Sequence, residues 1–348
     1  MILITGATGH VGNVLARELY GRGEKLRLLI PPGEDITPIE GLKNAKRFFC
    51  DVRDLKEVQR AVRGCDSVYH LAGIISITNS KKSRMRDINV RGTATVVEAC
   101  LHERVKRLVY ASSVHALRET PHGSPITEVL HTDIHSLLGP YAQSKAEATI
   151  EVLNGIQRGL DAVIVFPSGI IGPYDFRQSE MGMTFSYFAK AKKQYYIDGE
   201  YDFVDVRDVV EGLILACEKG EKGQGYILSG HKVTVREMIT MVEDYLGLHN
   251  KKVRVPTALA QFAGAFAPLY RAFTGKKPIL TSYSVAVLHS NCTISREKAE
   301  KQLGFKPRPI QESIADSLAW LGKSAGTVGQ GVVKLGRGIG RVIKPIKN

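Results

Sequence analysis

Met1-Ile-Leu-Ile-Thr5-Gly6-Ala7-Thr8-Gly9-His10-Val11-Gly12 opens the chain, and three local rules read it. Residues 1–4 form an unbroken apolar run, the pattern of a strand buried on both faces. Gly6, Gly9 and Gly12 follow with two residues between each. Over 10–21, Val11, Val14, Leu15 and Leu19 recur with a helical period. A strand that passes through a glycine turn into a helix is suited to binding a dinucleotide. One glycine makes the tight turn, and another lets backbone N–H groups approach a pyrophosphate. The last lets helix and strand pack closely, and the helix N-terminus adds partial positive charge. The spacing is G-x-x-G-x-x-G rather than the more widespread G-x-G-x-x-G, so position directly after the first strand carries the inference.

Working outward, apolar runs predict strands over 25–30, 45–50, 66–71, 106–112 and 160–166. Helices are predicted after 51–54, over 89–102 and over 139–158, with a basic loop carrying Lys81, Lys82, Arg84 and Arg86 before the second of these. Strands alternating with helices imply an α/β fold, a doubly wound parallel sheet covered on both faces. Beyond Pro167 the alternation ends. Helical patterns over 206–219, 234–246, 256–274, 297–303 and 310–321 predict a smaller, mostly helical C-terminal substrate-binding region over the sheet's C-terminal edge, where ligands of open parallel sheets sit. The expected divisions are 1–168, 169–322 (with some return to the core sheet) and a tail, 323–348.

The 348 residues are 43% hydrophobic and 24% charged, the balance of a soluble globular protein. Cys50, Cys65, Cys100, Cys217 and Cys292 are odd in number and show no C-x-x-C spacing, which fits reduced thiols rather than a disulfide frame. No apolar run is long enough to span a bilayer and no signal segment precedes the first strand, so a cytoplasmic protein is expected. His115 and His122 have no carboxylate or thiol cluster at ligand spacing, and no metal is expected. The formal net charge of +13 points to an acidic partner without choosing one. The basic clusters lack interleaved aromatics and read as solvated faces, not as a nucleic-acid surface.

Tyr141 and Lys145 are spaced i, i+4 on a predicted helix, so both side chains leave one face. An ammonium beside a phenol favours the phenolate and makes the tyrosine usable in proton transfer. Ser112 and Ser113 end the preceding strand and would reach the same mouth of the sheet. With these residues in order, the chain resembles the extended short-chain dehydrogenase/reductase (NAD-dependent epimerase/dehydratase) family. The matching stretches are Thr5 to Gly12, Asp51-Val52, His70-Leu71-Ala72-Gly73, Asn89 to Thr93, Ser112-Ser113, Tyr141 to Lys145 and Pro167-Ser168-Gly169. The similarity continues through 203–209 to Trp320. Ala299 to Pro307 is typical of the branch holding dihydroflavonol reductases, 3β-hydroxysteroid dehydrogenases and hopanoid-associated sugar-epimerase-like proteins.

The resemblance implies a Rossmann core and a set of roles. Tyr141 is the expected general acid/base, Lys145 holds the nicotinamide ribose and tunes Tyr141, and Ser113 bonds the substrate carbonyl. The cofactor is expected to meet Gly6, Thr8, Gly9, His10, Val11 and Gly12, then Asp51 and Val52 at the adenine. Leu71, Ala72 and Gly73 line its middle, and Pro167 and Ser168 border the nicotinamide. Ser112 is a packing or cofactor position. Asn89 either touches the cofactor or stabilises the sheet edge. The implied reaction is NAD(P)-dependent reduction of a carbonyl or oxidation of a secondary alcohol. Epimerisation or dehydration of a sugar on the same site stays open, as does a non-catalytic NAD(P)-sensing protein. The expected partner is a small carbonyl or alcohol, with a homodimer as a further expectation.

The sequence departs from the family pattern in two places. Ile30-Pro31-Pro32 offers neither the acid of NAD users nor the arginine of NADP users after the second strand. Basic surroundings lean the choice towards NADP(H), and Arg27 is a candidate 2′-phosphate contact, although it could equally face elsewhere. Phe166 stands where many relatives have arginine. The tail lies outside the resemblance. Val328, Val332, Leu335, Ile339, Val342 and Ile346 would form one helical stripe opposite Lys334, Arg337, Arg341 and Lys344. Such a helix suits peripheral contact with an anionic membrane, on the inner surface for a cytoplasmic protein. Six glycines oppose it, leaving a soluble charged tail as the alternative.

Overall fold

The computed structural model describes residues 1–75, 82–130, 133–266 and 281–327. Seven parallel strands make the central sheet. They are β1 (Ile2–Thr5), β2 (Leu26–Ile30), β3 (Lys46–Phe49), β4 (Ser67–His70), β5 (Arg107–Ala111), β6 (Ala162–Pro167) and, later in the chain, β10 (Gly225–Leu228). Their spatial order is β10-β6-β5-β4-β1-β2-β3. The chain therefore builds outward from β1 in one direction, then returns to place β4 on its other side. That reversal opens a crevice at the C-terminal ends of β1 and β4, and the glycine turn lies there.

The continuous apolar runs become central strands because helices cover both faces. On one face α1 (His10–Gly21) packs against α7 (Val206–Lys219), burying Val14, Leu15 and Leu19 with Val209, Val210 and Leu213. On the other, α2 (Leu55–Val62), α4 (Gly92–His102) and α5 (Gly139–Gln157) lie side by side. Val58, Val96, Val97, Ala148 and Val152 are buried there. Within the predicted basic loop, residues 82–86 form α3 (Lys82–Arg86), followed by a single wide helical turn at Asp87–Arg91 that leads into α4, while Lys81 lies outside the described residues.

The C-terminal region contains more strand than its sequence pattern indicated. β7 (Gly169–Ile171), β9 (Glu200–Asp205) and β11 (His231–Thr234) form a three-stranded sheet, and β8 (Lys193–Tyr196) pairs with β12 (Lys251–Arg254). Strands this short span too few alternations to show a period of two. α6 (Glu180–Lys190) and α8 (Val235–Leu246) pack with the last helix, Ile310–Thr327, over a cluster holding Phe185, Phe203, Ile239, Ile314 and Leu318. That helix continues past Gly322. The helix expected over 256–274 is seen as α9 (Thr257–Ala265). Residues 267–280 and the striped segment from Val328 onward lie outside the described residues. No described helix is long and apolar enough to cross a membrane.

Candidate active site

The cradle at the crevice depends on missing β-carbons. Gly6 has φ of 70°, and a Cβ there would stand 2.7 Å from the Ala72 nitrogen and 2.8 Å from the Leu71 oxygen. A Cβ on Gly12 would fall 2.1 Å from the Gly6 oxygen. Only glycine lets α1 start this close to the strand. Thr5 ties the two strand ends together, its hydroxyl accepting from the Leu71 and Ala72 N–H groups at 3.2 and 3.1 Å. No side chain caps α1 at Gly9, so the first N–H groups of the helix are left to an anion. A backbone cradle beside an uncapped helix N-terminus, at the point where the strand order reverses, fits a dinucleotide.

The other residues expected at the cofactor divide into two groups. Gly73 stands at the crevice, where an added Cβ would lie 3.3 Å from Asn89 Oδ1 and 3.7 Å from Lys145 Nζ. Val52 is buried against Gly92, while Asp51 pairs with Arg53 and holds its carboxyl below the usual range through that bond. Asn89 is a tie: its side chain accepts from the Ile74 N–H at 2.8 Å and donates to the Ile74 carbonyl at 3.1 Å and to Ser144 Oγ at 3.0 Å. Ser112 shares a hydrogen bond with Thr149 at 2.8 Å, a packing role. His10 turns towards the C-terminal region and meets the Pro173 carbonyl at 2.9 Å. Pro167 ends β6 and Ser168 follows it, buried. Phe166 is fully buried in the core. Arg27 points the other way, donating to the carbonyls of Ala61 and Arg63 at the end of α2. As a 2′-phosphate contact it is ruled out by this geometry.

Ser113, Tyr141 and Lys145 come together at the C-terminal end of β5. Ser113 sits just past β5, its hydroxyl accepting from the His115 N–H at 3.3 Å. Tyr141 and Lys145 project from the first turns of α5. Lys145 Nζ donates to the Ala111 carbonyl at 2.7 Å and lies 5.0 Å from the centre of the Tyr110 ring. The expectation that Lys145 would lower the Tyr141 pKa does not hold in the free chain. Burial pushes the phenol up to about 12, with the Ser113 hydroxyl pulling the other way, and burial pushes the lysine down to about 8. Desolvation is the leading cause of both shifts. The Tyr141 phenol is therefore neutral in the free chain at ordinary pH.

Three aromatic rings adjoin this group. His115 meets Tyr141 edge-on at 6.2 Å and stacks on Tyr201 at 5.8 Å, with Nε2 2.8 Å from the Tyr201 hydroxyl. Burial lowers the His115 pKa to about 4, so the ring is neutral. Tyr283 packs against Gly139 at the start of α5, and its buried hydroxyl has no hydrogen-bond partner among the described residues. Tyr201 and Tyr283 belong to no motif in the sequence and lie in the stretch without regular alternation. His122 is exposed and joins none of this. No group of three or more potential metal ligands occurs among the described residues.

Residues 2–229 match the model of the NAD dependent epimerase/dehydratase family. The chain is 32% identical over 326 residues to sterol demethylase protein B of Methylococcus capsulatus, covering 91% of this chain and 97% of that protein. It is 27% identical over 341 residues to a 4-hydroxy-2-methyl-3-oxo-4-farnesyl-3,4-dihydroquinoline-1-oxide ketoreductase of Stigmatella aurantiaca, covering 95% and 98%. The crystal structure of gox2253 superposes with a TM-score of 0.80 at 32% identity, over 92% of this chain and 97% of that one. With a parallel sheet, a glycine cradle at its switch point and this sequence match, the chain belongs to the NAD-dependent epimerase/dehydratase family of extended short-chain dehydrogenases/reductases, and its general class is that of an NAD(P)-dependent oxidoreductase.

Proposed function

We propose that the protein reduces a ketone, or oxidises the matching secondary alcohol, on Ser113, Tyr141 and Lys145. The observation that carries this reading is the Tyr141 phenol beside the Ser113 hydroxyl at the mouth of the sheet, one helical turn from the buried Lys145. Bound in the cradle, the nicotinamide would supply or accept the hydride. Ser113 would donate a hydrogen bond to the carbonyl oxygen, and Tyr141 would deliver a proton as that oxygen becomes an alkoxide. Lys145, between Ala111 and the Gly73 side of the crevice, would hold the nicotinamide ribose and stabilise the Tyr141 phenolate left after proton transfer.

The substrate we infer is a ring ketone rather than a nucleotide sugar. The walls at Tyr141 are the rings of His115, Tyr201 and Tyr283. Flat apolar walls suit a carbocycle, while the Tyr283 hydroxyl offers one polar contact. A ketoreductase and a sterol-processing protein among the relatives agree with this choice. The test is oxidation of NADPH and NADH followed against ketosteroids, flavonoid-like ketones, nucleotide sugars and short aldehydes. Turnover of the first two classes supports the proposal. Turnover of nucleotide sugars alone, or of none, overturns it.

A further inference from the structure

No basic residue follows β2, and Arg27 faces away, yet one arginine reaches the glycine turn from another part of the chain. Arg177, in the loop between β7 and α6, donates from Nη2 to Thr8 Oγ1 at 2.9 Å. The same guanidinium forms an ion pair with Glu34, four residues beyond the end of β2. One side chain thus bridges the glycine turn and the turn after β2, which flank the adenosine end of a dinucleotide bound in this cradle.

The loop that delivers Arg177 is fastened to α1. His10 Nε2 meets the Pro173 carbonyl, and Asn13 Nδ2 donates to the Tyr174 carbonyl at 3.2 Å. The Arg17 guanidinium lies over the rings of Tyr174 and Phe176, at 5.5 and 5.8 Å from their centres. Tyr174 and Gln178 bracket the segment with φ of 66° and 48°, backbone that residues other than glycine rarely adopt and that surrounding contacts must hold in place. Asp175 is buried and accepts from the Ser179 N–H at 2.7 Å. These contacts fix where Arg177 stands, while its own side chain remains half exposed.

We infer that Arg177 and Thr8 form the site for the 2′-phosphate of NADP(H), and that Glu34 is its built-in competitor. This rests on the dinucleotide reading of the cradle. A guanidinium binds a phosphate through paired N–H donors, and a hydroxyl adds a further donor once its arginine turns to the phosphate. In the free chain Glu34 occupies the guanidinium, and Asp35 stands close enough to feel its charge. A 2′-phosphate must displace Glu34, which keeps the preference for NADP(H) small. Removing the Glu34 charge removes both the competitor and a repulsion.

The experiment titrates the full chain with adenosine 5′-monophosphate and adenosine 2′,5′-bisphosphate, which differ only in the 2′-phosphate, by calorimetry. Trp320, the single tryptophan, packs on Tyr174 and Phe176 and gives an optical check on the same loop. Wild type should prefer the bisphosphate by a few fold, and Glu34→Gln should raise that ratio by about tenfold, as a charge-assisted contact freed of its rival would. Arg177→Gln should bring the ratio to about one and leave the monophosphate unaffected, while Arg177→Lys should keep part of the preference. An unchanged ratio in Glu34→Gln, or a preference that survives Arg177→Gln, overturns the assignment while leaving the cradle intact. If neither nucleotide binds wild type, the dinucleotide reading falls and this inference with it.

Discussion

Lys145 donates its ammonium to the Ala111 carbonyl at 2.7 Å, tying α5 to the end of β5. The contact brings a charge into a buried place, and burial lowers the lysine pKa to about 8 from its ordinary 10.5. Between those values the unfolded chain keeps a proton that the folded chain has released. The unfolded state binds more protons there, so this group's contribution to stability rises with pH across that window, and its burial cost is complete below about 8. The stability of wild type relative to Lys145→Met, from urea unfolding, should therefore increase between about pH 8 and 10. A difference that stays flat would mean that the ammonium is not desolvated.

Tyr141→Phe keeps the ring and removes the transferable proton. Turnover should fall by about a hundredfold or more, in the range of general acid catalysis, while cofactor affinity stays within about twofold. Steady-state rates on any ketone found, with cofactor binding by calorimetry, check both. Full activity in the variant would remove Tyr141 from the proposed chemistry.

The core half of the fold was readable because its signals are long and local. A strand, a glycine turn and a periodic helix sit within Met1 to Gly21, and β6 is a continuous, fully buried apolar run. Tyr141 and Lys145 were readable for the same reason, being one helical turn apart. What escaped depends on chain segments that meet only after folding. Arg177 reaches Thr8 across 169 positions, and Tyr201 reaches His115 across 86. Arg27 looked suitable by its place in the chain, but its side chain leaves the sheet at the end opposite the cradle. The expected drop in the Tyr141 pKa failed because spacing reports proximity and says nothing of desolvation.

Gly12→Ala tests the cradle itself. The added carbon would stand 2.1 Å from the Gly6 oxygen, a backbone atom that cannot rotate aside. α1 must shift away from the turn, and N–H groups aimed at the pyrophosphate shift with it. Affinity for NAD(H) and NADP(H) should fall together by at least about tenfold, measured by calorimetry. Loss of one cofactor alone would place the pyrophosphate elsewhere.

His70 holds a network whose protons can all be assigned. Thr5 Oγ1 already accepts from two backbone N–H groups, so its own hydrogen goes to His70 Nδ1 at 2.8 Å. Thr93 donates to the Asn89 carbonyl at 2.6 Å and is left to accept from His70 Nε2–H at 2.9 Å. The neutral Nε2–H tautomer satisfies every group, and a second ring proton would have no acceptor. Burial, with Lys145 nearby, lowers the His70 pKa to about 3. His70→Leu leaves both threonine hydroxyls short of a partner and should cost about 1–3 kcal/mol at neutral pH. As pH falls below about 6.5, the unfolded wild type takes up a proton that the folded chain refuses, so wild type loses stability that the leucine variant keeps. The gap between them should narrow by about 1.4 kcal/mol in all between pH 7.5 and 5.5, measured by urea unfolding at those two values. A gap independent of pH would show that His70 can be protonated in place, and the proton assignment along Thr5, His70 and Thr93 would be wrong.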